Sequence, residues 1–301
     1  MNKAISTKSA KQMRHIEANL LLNETRGMHP GNWKKLGEQK LHSISQGQHP
    51  KVLAIGPRVI GSLTRLYRNK QGHLGKPGDV FEVTTKSNGE LDNIGAGSVF
   101  YAIKHLGVHV VDIWGNGGRT HGSTRNSLEK IAGSSLLEIR ELKVSGSEIT
   151  DVADADAVVV ACSDSRVQVH HIFENAVVVS NAGNILSPTA IEVIGDLVLQ
   201  GVPIVTILGH TKCGAVGAAV GGATEKELSG IMSVINENTN AKEIADAEVQ
   251  NAVASANLLK GNSLANYFGE SLQNLQHKIK KAGTTVLAQF LDLATGEVRN
   301  I

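Results

Sequence analysis

Short apolar runs closed by glycine, proline or a polar turn punctuate the chain from Lys51 onward. Lys51 to Gly56 (KVLAIG) is the first, followed by Val80 to Val83, Val108 to Trp114, Ala157 to Ala161, Ala176 to Val179 and Val202 to Leu208. Runs this short, rich in β-branched residues and apolar at successive positions, read as strands buried on both faces, as in a parallel sheet. Between them lie stretches of helical character, Ser98 to Leu106 and Thr189 to Leu199. Strands that alternate with helices of about ten residues predict parallel βαβ units. The first ~48 residues differ. They are polar, with Met13, Ile16, Leu20 and Leu21 at helical spacing and a break at His29-Pro30-Gly31, and predict a helical packing arm.

The pattern also repeats. Leu106 to Gly115 (LGVHVVDIWG) lies over Gln200 to Gly209 (QGVPIVTILG) at an offset of 94, and Val80 to Val83 pairs with Ala176 to Val179. Further on, Ile139 to Gly146 matches Ala288 to Gly296 within one gap, at a glycine offset of 150. The second copy therefore carries an extra helical segment of 56 residues, within about Thr224 to Lys281, that the first lacks. The expectation is an α/β fold of two tandem units, each a mostly parallel sheet flanked by helices, paired as an intramolecular pseudo-dimer. The expected domains are residues 1–150 and 151–301, with the boundary near Thr150.

The length of 301 residues, about twice a single-domain prior, agrees with two units. Apolar residues at 41%, charged residues at 19% and only 6 prolines exclude disorder and collagen. A net charge of +2 and 3% aromatics leave neither the basic footprint nor the stacking platforms of a nucleic-acid binder. No apolar run approaches the ~18 residues of a membrane span. Cys162 and Cys213 are the whole thiol inventory, too few for a disulfide scaffold, so a reducing, cytoplasmic setting is expected. Met1 to His15, basic and free of acids, has the composition of a weak organelle-targeting segment.

Those two cysteines converge on one place. The strand Ala157 to Ala161 runs into Cys162-Ser163-Asp164-Ser165-Arg166, and the strand Val202 to Leu208 runs into Gly209-His210-Thr211-Lys212-Cys213-Gly214. Both segments fall at the carboxyl ends of parallel strands, where an open α/β sheet binds its ligand. Two thiolates and one imidazole suit Zn²⁺, and three protein ligands leave a fourth position open, the pattern of a catalytic site. His105, His109, His121, His170 and His171 lack such company and read as surface or packing histidines.

The segments Cys162-Ser163-Asp164-Ser165-Arg166-Val167, Ser180-Asn181-Ala182-Gly183-Asn184 and Gly209-His210-Thr211-Lys212-Cys213-Gly214 together resemble the signature of the beta-class carbonic anhydrases. The likeness is close from Ala157 to about Val220 and continues loosely to Leu293 to Val298. It implies reversible hydration of CO₂ to bicarbonate and a proton by zinc-bound hydroxide, on one zinc per chain held by Cys162, His210 and Cys213, on a fold whose working unit is a dimer. Zinc with three protein ligands lowers the pKa of a bound water to about 7. Asp164 is placed to accept that water's hydrogen bond, and Arg166 to hold Asp164 by a charge-assisted fork. Gly214 begins the helix after Cys213, with its amide toward substrate oxygens; Asn181 and Gly183 complete the expected substrate-binding set. The partner is a small molecule, with neither nucleic acid nor membrane, and a homodimer of pseudo-dimers is the larger assembly this pattern allows.

The first copy keeps none of the ligands. Gly56-Pro57-Arg58-Val59 stands where the cysteine motif belongs, and Asn116 and Arg119 stand for His210 and Cys213, so this unit is expected to be metal-free and structural. Its glycine-rich loop, Gly115 to Gly122, only approximates a phosphate-binding spacing, and Ser98 to Gly118 resembles the amino-terminal half of ribokinase-type kinases without the catalytic half. The second copy departs from the family at Ser180, where an arginine is usual, and at Gln168-Val169-His170-His171, which replaces a proline-containing stretch. Hydrolysis of a CO₂-like molecule, carbonyl sulfide or carbon disulfide, is the alternative among enzymes. A zinc-binding assembly protein without turnover is the alternative outside them.

Overall fold

A computed structural model describes residues 47–57, 63, 66–67, 78–133, 135–144, 155–173, 175–263 and 268–301. The expected amino-terminal arm and the Thr150 boundary lie outside these residues. Two sheets account for the strands. The first contains β1 (Val52–Gly56), β2 (Val80–Thr84), β3 (Val110–Gly115) and β4 (Glu138–Lys143) in the order β2-β1-β3-β4, all parallel. The second contains β5 (Ala157–Cys162), β6 (Ala176–Asn181), β7 (Ile204–His210), β8 (Thr285–Leu291) and β9 (Val298–Asn300) in the order β6-β5-β7-β8-β9, parallel except for β9. The first four strands of each half thus follow one order.

In the first sheet one helix, α2 (Gly118–Ala132), joins the third strand to the fourth, and α1 (Asn93–Lys104) follows β2. In the second, α3 (Pro188–Gln200) follows β6. Between β7 and β8 come α4 (Gly214–Val220), α5 (Ser229–Asn238), α6 (Ile244–Lys260) and α7 (Gly269–Ala282). The last three of these occupy the stretch read from the sequence as extra. No described helix is long and apolar enough to cross a membrane.

β5 and β6 are buried at every position, β5 between β6 and β7 and the edge strand β6 against β2 of the first sheet. Side chains alternate between the faces: Val158, Val160, Val177, Val179, Val205 and Ile207 pack with α3, α6 and α7, while Val159, Ala161, Val178 and Leu208 pack on the other side. The one acid in the β3 run, Asp112, is fully buried because Tyr67 Oη donates to it at 2.6 Å and Arg140 grips it through two nitrogens at 2.6 and 2.8 Å.

The two sheets meet through β2 and β6. Ser180 N donates to Thr84 Oγ1 at 2.9 Å, Glu82 N to Ser163 O at 3.4 Å and Gly78 N to Ser165 O at 2.8 Å. Behind the strands, Asp92 caps α1 by accepting from Gly95 N at 2.7 Å. With its other oxygen it accepts from Thr189 N at 2.8 Å in the first turn of α3. One carboxylate therefore serves the positive ends of two helices from the two halves. That cap explains why α1 starts at Asn93, five residues before the start read from apolar spacing.

Candidate metal centre

Neighbouring strands set the first two residues of the centre. Cys162 ends β5 and His210 ends β7, and the pairing Ala161↔Leu208 brings the two carboxyl ends side by side. Cys213 follows after a turn in which Lys212 takes a left-handed φ of 58°, and it stands at the N-cap of α4. The turn folds the chain back, so that the Cys213 sulfur lies 3.9 Å from that of Cys162. One ligand atom from each of Cys162, His210 and Cys213 falls within 4.8 Å of the others, and all three residues are buried. They form the one such group among the described residues.

The donor set fits a zinc ion on two counts. Tetrahedral coordination with Zn–S bonds of about 2.3 Å separates two sulfurs by roughly 3.8 Å, close to the spacing found. His210 Nδ1 lies 2.9 Å from Thr211 O, a contact that requires its proton, while the buried Nε2 meets no hydrogen-bond partner. A buried lone pair left without a donor is what a metal ligand must present. The two thiols are already unequal: the hydrogen bond from Cys213, and then His210, hold Cys162 well below an ordinary thiol value, whereas Cys213 is pushed well above it. Gly183 N adds a further donor to Cys162 Sγ at 3.3 Å.

Asp164 and Arg166, both buried, form a fork beside the cluster. Asp164 Oδ1 accepts from Arg166 Nε at 2.8 Å and from Arg166 N at 3.0 Å, and Oδ2 accepts from Nη2. That nitrogen also donates to Lys212 O at 2.8 Å, which ties the pair to the turn carrying Cys213. Other expected site residues serve the loops. Asn181 closes its own loop through Ile185, donating to its O at 2.9 Å and accepting from its N at 3.1 Å. Gly183 takes φ 84°, a conformation suited to glycine, and it delivers the amide on Cys162. Gly214 opens α4.

Two residues of the first half reach this place and went unread in the sequence. A Cβ at Gly214 would stand 2.6 Å from Tyr101 Oη, and 3.8 Å from Gln48 Nε2. Burial, with added repulsion from Cys162, Asp164 and Cys213, pushes the Tyr101 hydroxyl up to about 12, so it stays a neutral donor. Gln48 Oε1 accepts from Ser165 N at 3.3 Å. The signal that could have found them is the pairing of the two halves, since α1 lies over the strand ends of the other sheet only when β2 meets β6. Asn116 and Arg119, the counterparts of His210 and Cys213, are exposed, and the described residues of the first sheet gather no metal-binding group.

Comparison with known proteins agrees with the site. Residues 157–298 match the family model described as carbonic anhydrase. Carbonic anhydrase 2 of Mycobacterium tuberculosis is 35% identical over 79 residues, which cover 25% of this chain and 38% of the relative. The chain thus spans under two fifths of that relative's length. Among solved structures, the beta-carbonic anhydrase CcaA aligns with 48% of this chain and 73% of its own at 17% identity and a TM-score of 0.37. A tetrameric beta-carbonic anhydrase of Sordaria macrospora aligns with 52% and 86% at 18% identity and 0.38. The segment that matches the carbonic anhydrase family model, residues 157–298, supplies all three members of the Cys162, His210, Cys213 cluster.

Proposed function

We propose that the protein catalyses the reversible hydration of CO₂ to bicarbonate at a single zinc ion held by Cys162, His210 and Cys213. The observation that carries this reading is the buried cluster itself: two sulfurs 3.9 Å apart and an imidazole nitrogen with no other partner, in a segment that matches the carbonic anhydrase family model. Zinc in such a site supplies the Lewis acidity that ionises water near neutral pH. The rest is the work of the chain. Ile94, Ala182, Ala215, Val216, Ile231 and Ile235 pack around the two cysteines and exclude bulk water from one side. Arg166 holds both oxygens of Asp164, which aims the carboxylate, and Asp164 would accept a hydrogen bond from the attacking water. Tyr101 Oη, Gln48 Nε2 and the Gly214 amide form a group of donors suited to the oxygens of bicarbonate.

The same proposal covers the architecture. Two sheets of one strand order, joined through β2 and β6, read as tandem units over residues 1–150 and 151–301 in an intramolecular pseudo-dimer, the first of them metal-free. Buried free thiols that must stay reduced fit a cytoplasmic protein. Metal analysis beside stopped-flow CO₂ hydration tests the whole. One zinc per chain, lost in Cys213→Ser together with turnover, is the expected result. A zinc-replete protein no faster than buffer refutes the catalytic reading, with headspace assays on carbonyl sulfide and carbon disulfide deciding for a related hydrolase. Two zinc ions per chain overturn the metal-free first unit.

A further inference from the structure

The helix α6 belongs to the stretch that the first half lacks, and it faces the metal cluster with two buried polar side chains one turn apart, Glu248 and Asn251. Glu248 Oε1 accepts from Cys213 N at 2.6 Å. The peptide that joins Lys212 to Cys213 is thereby held from both sides: its N–H by Glu248, and its carbonyl by Arg166 Nη2 at 2.8 Å. Lys212 sits at φ 58°, a left-handed conformation that a residue other than glycine keeps only when its surroundings impose it. Asn251 repeats the arrangement on the other cysteine. Its Nδ2 donates to Gly183 O at 2.8 Å, and Gly183 N donates to Cys162 Sγ at 3.3 Å. Residues three apart on a helix share a face, so one face of α6 grips the backbone behind both sulfurs.

We propose that Glu248 is a positioning residue of the metal centre, acting through the Lys212–Cys213 peptide. It fixes the Cys213 sulfur from the N–H side while Arg166 fixes the same peptide from the carbonyl side, so the sulfur and the Asp164–Arg166 pair are set by one rigid unit. The proposal rests on the zinc reading above, and it gives the extra helical segment a task at the site. Outer-shell partners of this kind change metal affinity or activity by about 10- to 100-fold when removed.

The test uses the full-length protein with three measurements: zinc affinity by chelator competition, the sulfur-to-cobalt charge-transfer bands of the cobalt(II) form, and the thermal midpoint. Glu248→Ala is expected to lose zinc affinity by about 10- to 100-fold and to shift the cobalt bands. Glu248→Gln keeps an acceptor for the Cys213 N–H, so it should hold the band positions and lose affinity by less than about 10-fold. Gln276→Ala removes the donor to Leu258 O at 2.7 Å, a contact of α7 with the far end of the same helix. It should lower the midpoint and leave the bands unmoved. Wild-type bands and affinity in Glu248→Ala overturn the proposal. So do equal band shifts in Gln276→Ala, which would reduce Glu248 to a helix-docking contact, and so does a Glu248→Gln variant as impaired as Glu248→Ala. Should Glu248→Ala not fold, Glu248→Asp, with its acceptor withdrawn by one methylene, decides in its place: shifted bands sustain the proposal and wild-type bands overturn it. A wild-type protein that binds no zinc refutes the functional reading instead, which keeps the two failures apart.

Discussion

Gly214→Ala is the smallest change that tests whether the first half of the chain builds the site of the second. A Cβ there would stand 2.6 Å from Tyr101 Oη, well inside van der Waals contact, while the next atom, Tyr101 Cζ, would be 3.5 Å away. The ring cannot retreat freely, because it stacks on His105 at 5.3 Å and lies near Phe81 at 6.4 Å. Forcing α4 and α1 apart should cost about 1–3 kcal/mol, the usual range for overpacking a fitted interior. The gain from replacing glycine by alanine in a helix offsets roughly 0.5–1 kcal/mol. The net destabilisation expected is thus about 1–2 kcal/mol. Tyr101→Phe removes only the clashing oxygen and leaves ordinary contact at 3.5 Å. The double variant Gly214→Ala/Tyr101→Phe should therefore be more stable than the sum of the singles by about 1–2 kcal/mol. Urea unfolding of the metal-free wild type, both singles and the double, followed by circular dichroism, measures the coupling. Additivity within about 0.5 kcal/mol would mean that Tyr101 does not cover Gly214, and the joint construction of the site would fall with it.

Asp92→Ala removes the cap of α1 and the acceptor for Thr189 N in α3, so it should destabilise by about 1–3 kcal/mol in the same assay, against roughly 1 kcal/mol for an ordinary single cap. Alkaline pH should unfold the protein through its tyrosines. Burial and then Asp112 hold Tyr67 well above 10, and burial and then Cys162 bring Tyr101 to about 12, so their contribution to stability is complete below pH 10 and is lost as pH rises toward those values. An ultraviolet titration of the folded protein should find both hydroxyls still protonated near pH 10, and ionisation of more than one of the 3 tyrosines there refutes this.

What could be read from the sequence follows from how local each feature is. Cys162, His210 and Cys213 were legible because strand ends and a short turn position them, and the pattern that marks a parallel strand also marks its end. Asp164 and Arg166 were legible for the same reason, being two and four residues beyond Cys162. Gln48 and Tyr101 were not, because their place depends on which edges the sheets present to each other, and no residue spacing encodes that. Asp112 sat unmarked in an apolar run, since its burial depends on Tyr67 and Arg140, 45 and 28 residues away. The sequence places Asn181 and Gly183 in the substrate-binding set. In the structure Asn181 is bonded to Ile185, and the Gly183 amide to the Cys162 sulfur.

The contacts between the halves bind the segments around the Cys162, His210, Cys213 cluster to the first half. Ser165 N, Ser180 N, Ala182 N and Thr189 N, all in segments that carry or support the cluster, donate to Gln48, Thr84, Ser98 and Asp92 of the first half. The carbonyls of Ser163 and Ser165 accept from Glu82 N and Gly78 N. Leaving a buried backbone group unsatisfied costs about 1–3 kcal/mol, so a second half stripped of its partner would have to rearrange the loops that hold Cys162, Asp164 and Arg166. By contrast, Asn116 and Arg119 are exposed and face no such demand. Substitution of Asn116 or Arg119 therefore removes none of these bonds, whereas loss of the Ser98 or Thr84 hydroxyl leaves the amide of Ala182 or Ser180 without its acceptor. The hydrogen bonds thus constrain the first half at the face it turns to the second, through Gln48, Thr84, Ser98 and Asp92, and leave Asn116 and Arg119 at its own strand end exposed.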